Sequence, residues 1–347
     1  MGFPVLDTED FFNKSQSGKH TLVDARSESE FAHAHIPGAI NIPILNDEER
    51  KLVGTEYKTN GREAAVLLGF KLVGPRFHQI IKEAQSAASS NNLLIYCWRG
   101  GMRSQILSWL LSLNGFRIEL LKGGYKSFRN LVINTNASKR SYIVLGGPTG
   151  SGKTEVLNHL PIHGEQILDL EYLANHKGSA FGGLGKSGQP SNEQFENLIG
   201  IHLMKMKNEN VIWIENESRS IGKCIIPEGL YTQIRESVVF TMDVPIHIRR
   251  NRIKNEYGNF SNQELTEMSE KIKKRMGPQN LKSALDSLSA GNFDGWLEPI
   301  MEYYDRLYAY GNTQRDPNKV IKFETDLVDL NGLAKQMINK KYNISHD

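Results

Sequence analysis

Cysteine is scarce in this chain. Only two occur in 347 residues, Cys97 and Cys224. That excludes a disulfide framework and a cysteine-rich zinc centre. No apolar run is long enough to span a bilayer, so no membrane helix and no membrane partner are expected. The opening stretch MGFPVLDTEDFFNKSQSGKH lacks a basic n-region and an apolar core, so no secretory signal is expected. Gly2 follows Met1, but Leu6 stands where a myristoylation signal has Ser or Thr. The expected location is cytoplasmic. An excess of one charge is also missing: 42 basic against 39 acidic residues leave +3. Composition alone therefore gives no argument for nucleic acid. What is there, 39% hydrophobic and 23% charged residues, suits a globular protein. The length favours more than one domain.

Apolar runs alternate with helical patterns along most of the chain, which indicates an α/β protein. In the first part, HTLVDAR (20–26) reads as a strand. SESEFAHAH starts a helix, with Ser27 and Glu30 spaced as a capping box. IPGAINIP (36–43) holds a short strand between Pro and Gly. Residues 46–85 read as helix, broken at TNG and GPRF. FRIELLKGG (116–124) is a further strand. The polar stretch NTNASKR (134–140) reads as a linker. Beyond it SYIVLGG, EQILDLE, NVIWIENE and SVVFTMDV read as strands of a parallel sheet. Residues 246–347 are mainly helical and charged. The boundaries expected are 1–135, 136–245 and 246–347.

Two loops carry chemistry. The first, GGPTGSGKT, fits G-x-x-x-x-G-K-[ST] through Gly147, Gly150, Ser151, Gly152, Lys153 and Thr154, between a strand and a helix. Glycines let backbone amides converge on an anion, and the helix N-terminus adds its positive end. Lys153 is expected on terminal phosphates and Thr154 on Mg²⁺. Asp169 and Glu215 close later strands and are candidates to hold Mg²⁺ or act as a base. A helix N-cap is the competing reading of Asp169. The glycine-rich segment 178–191 reads either as a flap over the phosphates or as a plain connection.

The second loop, YCWRGGMRS, runs through Cys97, Trp98, Arg99, Gly100, Gly101, Met102 and Arg103, spelling C-x5-R. Converging amides, the helix dipole and the Arg103 fork would favour a nucleophilic thiolate facing a tetrahedral anion. This loop permits phosphoryl transfer onto Cys97, or sulfur or selenium transfer. Trp98 reads either as a stacking platform for a base or as packing beneath the loop. Cys224 sits in no clear motif and reads as structural. IHIRRNRIK and KIKKR supply Arg249, Arg250, Arg252, Lys254, Lys271, Lys273, Lys274 and Arg275 as candidate phosphate contacts. A solvated helix face is the plain alternative, and Arg249 and Arg252 could instead close over a P-loop ligand.

The segment LVDARSESEFAHAHIPGAINIP resembles the opening of a rhodanese domain, through Asp24, Arg26, Glu30, Phe31, His35, Ile36, Pro37, Gly38, Ala39, Asn41 and Pro43. LLKGGYKSFR resembles the segment after a rhodanese active loop. The Cys97 loop is one residue longer than in most rhodanese sulfurtransferases, as in rhodanese-like phosphatases. A rhodanese-like domain followed by a P-loop NTPase-like parallel-sheet domain with a helical C-terminal extension resembles the tRNA 2-selenouridine synthases. NDEERKLVGTEYKTNGREAAVLLG, YCWRGGMRS, GGPTGSGKT, LDLEYLANHKGSAFG and IENESRSIG carry that resemblance over nearly the whole chain.

The resemblance implies a transferase acting on tRNA. Such enzymes replace sulfur by selenium in 2-thiouridine at the wobble position. Selenophosphate is the donor, and the route passes through S-geranylation from geranyl diphosphate. The essential cysteine of that family corresponds to Cys97. The P-loop would then hold geranyl diphosphate with Mg²⁺, and the Cys97 loop selenophosphate, by way of a Cys97 perselenide. No organic cofactor is expected. The alternatives are a rhodanese-type sulfurtransferase or C-x5-R phosphatase fused to a P-loop small-molecule kinase, and a non-catalytic partner-binding regulator. The intact Cys97 and complete P-loop speak against the regulator.

Overall fold

The computed structural model describes residues 2–344. The chain separates between Thr135 and Asn136 into two compact units, with Glu196–Ile201 grouped with the first. Each unit is built on one five-stranded sheet.

The first unit holds β1 (Val5–Leu6), β2 (Thr21–Asp24), β3 (Ile40–Asn41), β4 (Asn92–Tyr96) and β5 (Arg117–Leu121). The helices are α1 (Thr8–Ser15), α2 (Glu28–His33), α3 (Asp47–Val73), α4 (Phe77–Ala87), α5 (Met102–Ser112) and α6 (Gly124–Ala137). The strands lie in the order β1-β5-β4-β2-β3 and all pairs are parallel. Crossover helices cover a parallel sheet on both faces, so its central strands are apolar throughout. Accordingly Leu93–Tyr96 are buried without alternation, and Val23, Ile95, Leu107, Leu111 and Ile118 share one core.

Local signals act as the patterning indicates. Ser27 and Glu30 form the capping box of α2. Within α3, Gly61 of TNG leaves helical geometry at φ 85°, and a 3-10 turn at Gly74–Arg76 precedes α4. The expected linker differs: α6 continues through Ala137, so half of NTNASKR is helical.

The second unit holds β6 (Tyr142–Gly146), β7 (Gln166–Leu168), β8 (Ile212–Glu215), a two-stranded antiparallel ribbon β9 (Ser220–Ile221) and β10 (Cys224–Ile225), then β11 (Val238–Asp243) and β12 (Val320–Glu324). Its helices are α7 (Lys153–His159), α8 (Leu170–Ala174), α9 (Asn192–Met204), α10 (Glu228–Glu236), α11 (Ile246–Tyr257), α12 (Asn262–Glu270), α13 (Lys273–Met276), α14 (Pro278–Ser289), α15 (Phe293–Thr313) and α16 (Leu330–Ile344); α9 shares residues with the first unit. The sheet order is β12-β11-β6-β8-β7, again all parallel. Residues 246–347 are mostly helical but also supply β12, the edge strand beside β11. Its VIKFE sequence is only partly buried, so it carries no long apolar run to set it apart from its helical neighbours.

Both functional loops follow a central strand. Cys97 comes directly after β4 and Gly147 directly after β6. In each sheet the neighbouring strands lead away to either side, which opens a crevice at the carboxyl edge.

Candidate functional site

Cys97 is buried at the floor of its loop, with Sγ 3.2 Å from Ser104 Oγ and 3.8 Å from the Gly101 carbonyl. The Ser104 hydroxyl is itself buried and donates to Gly101 O at 3.0 Å. Trp98, Arg99, Gly101 and Met102 are exposed. Among the described residues, no amide from Trp98 to Arg103 donates a hydrogen bond to the protein. Unpaired amides ahead of a helix N-terminus make a preformed anion cradle.

The loop owes its shape to the start of α6. The Tyr125 amide donates to Cys97 O at 2.8 Å, and the Lys126 amide donates to Trp98 O at 3.0 Å. This close approach needs glycine at two positions with positive φ. A side-chain carbon at Gly100 (φ +66°) would meet Leu121 O at 2.9 Å. At Gly124 (φ +63°) it would meet Gly100 N at 2.5 Å, Arg99 N at 2.8 Å and Cys97 O closer still. Gly124→Ala is therefore expected to destabilise the protein by about 2–4 kcal/mol in denaturant unfolding. Gly101→Ala, in open space with φ −93°, should be near neutral in the same measurement.

The rhodanese-type residues hold the walls. Asp24 and Arg26 form a buried ion pair with Nη2 to Oδ2 at 2.6 Å, and Arg26 also donates to Ala34 O at 2.6 Å. The guanidinium carbon stands 4.0 Å from the Tyr125 ring centre. Burial alone would lower the Arg26 pKa, but Asp24 outweighs it and holds it above its ordinary value. Arg103 Nη1 donates to Glu30 Oε2 at 2.5 Å. Burial pushes the Glu30 carboxyl up, yet Arg103, with Arg50 nearby, holds it below its usual range. Arg103 is thus a cation anchored at the first turn of α5, and Glu30 serves both as cap and as anchor. Trp98 lies tilted on Tyr125 with ring centres 5.7 Å apart, and it remains partly exposed.

In the second unit Gly147, Gly150 and Gly152 all have positive φ. Lys153 Nζ donates to Gly147 O at 3.0 Å, so its ammonium lies folded over the loop. Ser151 Oγ is buried without a hydrogen-bond partner among the described residues. Arg249 is buried, pairs with Asp305 at 2.8 Å, and donates to Thr149 O at 3.2 Å. It braces the P-loop and presents no charge to solvent. Arg252 pairs with Glu155 and stands beside Gly152. Arg250 pairs with Glu298 at 3.4 Å and Lys254 with Asp294 at 2.6 Å. Lys271, Lys273, Lys274 and Arg275 are exposed, and of these only Lys273 forms an ion pair among the described residues, with Glu270.

Asp169 caps α8, accepting from the Tyr172 amide at 2.8 Å, as the competing reading had it. Burial holds its carboxyl above its ordinary pKa. Glu215, at the end of β8, is fully buried, and Oε1 has no hydrogen-bond partner among the described residues. Burial raises its pKa, while Lys153 and the Thr154 hydroxyl pull it back. Two residues not expected from sequence join it: ligand-capable oxygens of Glu171, Glu215 and Glu217 all lie within 4.8 Å of one another. Burial, then Glu215 and Glu217, push Glu171 up to about 9. Burial and Glu215 push Glu217 up to about 8. The signal in sequence was the pair of acids two residues beyond each chosen strand end.

The glycine-rich segment is anchored rather than free. Phe181 is buried against Tyr257 and Trp296, and the Ala180 amide donates to Tyr304 at 3.0 Å. Cys224 is buried, with Gln189 Nε2 at 3.5 Å from its sulfur. Burial pushes its thiol up to about 11, which leaves it neutral and unreactive at ordinary pH.

These features define a rhodanese-like domain joined to a P-loop-type α/β domain. A family model for the rhodanese-like domain matches residues 7–131, and one described as the tRNA 2-selenouridine synthase AAA domain matches residues 140–339. Curated relatives named tRNA 2-selenouridine synthase are similar to this chain. The one from Pseudomonas fluorescens strain Pf0-1 is 35% identical over 89% of this chain and 92% of its own. That from Pseudomonas putida strain GB-1 is 33% identical over 90% and 93%. The Nitrosomonas europaea protein is 39% identical over 68% of this chain, and the match spans 63% of that protein's length. The chain belongs to the tRNA 2-selenouridine synthase family.

Proposed function

We propose that this chain replaces sulfur by selenium in 2-thiouridine at the wobble position of tRNA, in two steps served by two cradles. The observation that carries this reading is the presence, in one chain of this family, of a P-loop and a separate thiol-floored loop with unpaired amides. In the first step the thiouridine sulfur attacks C1 of geranyl diphosphate. The S–C bond forms, the C–O bond breaks, and pyrophosphate leaves into Gly147–Thr154. Thr154 and Glu215 would hold Mg²⁺, which would neutralise charge developing on pyrophosphate.

In the second step selenophosphate occupies the Cys97 loop. Its selenium is already at the selenide level, so a Cys97 perselenide would require an oxidant. Attack of the Cys97 sulfur on phosphorus requires none. The S–P bond forms, the Se–P bond breaks, and selenide leaves with the electron pair. Selenide then adds to C2 of the geranylated uridine, and geranylthiolate departs. Water clears the phosphate from Cys97. The cradle size suits this, because C-x5-R loops accommodate tetrahedral phosphorus. Lys271, Lys274 and Arg275 are the basic residues best placed to meet tRNA phosphates, since Arg249, Arg250, Arg252, Lys254 and Lys273 are committed to carboxylates.

Reconstitution tests this reading. Purified full chain, thiouridine tRNA, Mg²⁺ and geranyl diphosphate should give a geranylated wobble nucleoside by mass spectrometry. Adding selenophosphate should convert it to selenouridine. Unchanged nucleosides together with ATP consumption would favour a phosphatase or sulfurtransferase fused to a small-molecule kinase.

A further inference from the structure

The three clustered glutamates come from separate places in the second unit. Glu171 lies in the first turn of α8, Glu215 ends β8, and Glu217 follows in a turn closed by its own amide to Glu215 O at 3.0 Å. Their oxygens lie within 4.8 Å of one another. No lysine or arginine among the described residues pairs with any of them within 4.0 Å. Glu215 is 1% exposed, yet Oε1 has no hydrogen-bond partner among the described residues. A buried carboxylate oxygen left unpaired is costly, and Glu215 bears that cost here.

The backbone is shaped around these oxygens. Gly178 has φ +68°, and a side-chain carbon there would lie 2.5 Å from Glu217 Oε2 and 2.8 Å from Glu171 Oε1. The glycine turn therefore closes directly over two of the three carboxylates. Asp169 accepts from the Tyr172 amide through Oδ1 and is not one of the three clustered acids. Hard oxygen donors without nitrogen or sulfur suit Mg²⁺ or Mn²⁺. Adjacent ligands of an octahedral Mg²⁺ stand roughly 3.0 Å apart and opposite ones roughly 4.2 Å, so oxygens that lie within 4.8 Å of one another have to draw in by up to about 2 Å to share one ion.

We propose that Glu171, Glu215 and Glu217 bind one divalent cation of the Mg²⁺ or Mn²⁺ kind directly, without any phosphate ligand. This goes beyond the P-loop reading, in which the ion arrives with the diphosphate through Thr154. It holds whichever diphosphate the loop takes. The cation would be resident at the edge of the P-loop before substrate enters.

The probe is Mn²⁺ alone, titrated into the full-length chain after chelation and followed by the electron paramagnetic resonance signal of the free ion. One Mn²⁺ should bind per chain without diphosphate, and Mg²⁺ should displace it. Glu171→Gln and Glu217→Gln, singly, should each weaken Mn²⁺ at least tenfold, while Asp169→Asn should leave affinity within about twofold. Thermal unfolding of the unsubstituted chain should shift upward with Mn²⁺ relative to chelator, which keeps the test independent of whether either variant folds. Binding that appears only once diphosphate is added, or affinity unchanged in both glutamine variants, would overturn the proposal.

Discussion

Cys97→Ser should reduce selenation of pre-geranylated tRNA by on the order of 10³-fold or more, equivalent to about 4 kcal/mol of transition-state stabilisation. The substitution exchanges one atom at the floor of a loop whose other features are backbone. The new hydroxyl would still lie near Ser104 and Gly101, so the fold and the anion cradle should survive. What is lost is the nucleophile, because a serine hydroxyl has no base positioned to activate it. Geranylation of thiouridine by the same variant should be close to normal, since the P-loop belongs to the other unit. Mass spectrometry of the nucleoside reads both steps in one sample. Full selenation by the serine variant would remove Cys97 from that step.

Lys153→Ala should give the reverse pattern. Its ammonium donates to the Gly147 carbonyl of the P-loop and, among the described residues, is in no salt bridge with a carboxylate. A charge-assisted contact to a terminal phosphate contributes about 1.5–3 kcal/mol, so geranylation should fall by roughly 10- to 100-fold. The loss should grow if the lysine also stabilises charge on the departing pyrophosphate. Selenation of tRNA supplied already geranylated should be nearly unaffected. If the alanine variant geranylates normally and fails only in selenation, the assignment of the two cradles is wrong. Both experiments need the same three samples: thiouridine tRNA, geranylated tRNA, and product.

How far the sequence alone reaches depends on whether a feature is local. The strands around Cys97 and Gly147 were legible because buried parallel strands leave unbroken apolar runs. The Ser27–Glu30 box was legible because both partners lie within one turn. The Glu30–Arg103 pair was not, since 73 residues separate partners that meet only across the loop. The same limit hid the carboxylate cluster: strand ends drew attention to Asp169 and Glu215, but Asp169 turned its oxygen to a backbone amide, and Glu171 and Glu217 closed the group instead. Basic stretches misled for a related reason. IHIRRNRIK looks like a surface for phosphates, yet each Arg and Lys of α11 has a carboxylate partner on another element. Edge strand β12 escaped notice because half-exposed alternation among charged helices resembles either structure.

The start of α6 is where helical amides would ordinarily await an anion. Here two of them are spent on the carbonyls of Cys97 and Trp98. A peptide plane whose carbonyl is fixed has its N–H fixed in the opposite direction. The hook behind the loop therefore sets what the front of the loop offers. In the proposed reading, affinity for a tetrahedral anion would then be a property of peptide orientation, while the exposed side chains of Arg99 and Met102 take no part in the hook. Loop chemistry and loop specificity are carried by different atoms, so either can change without the other.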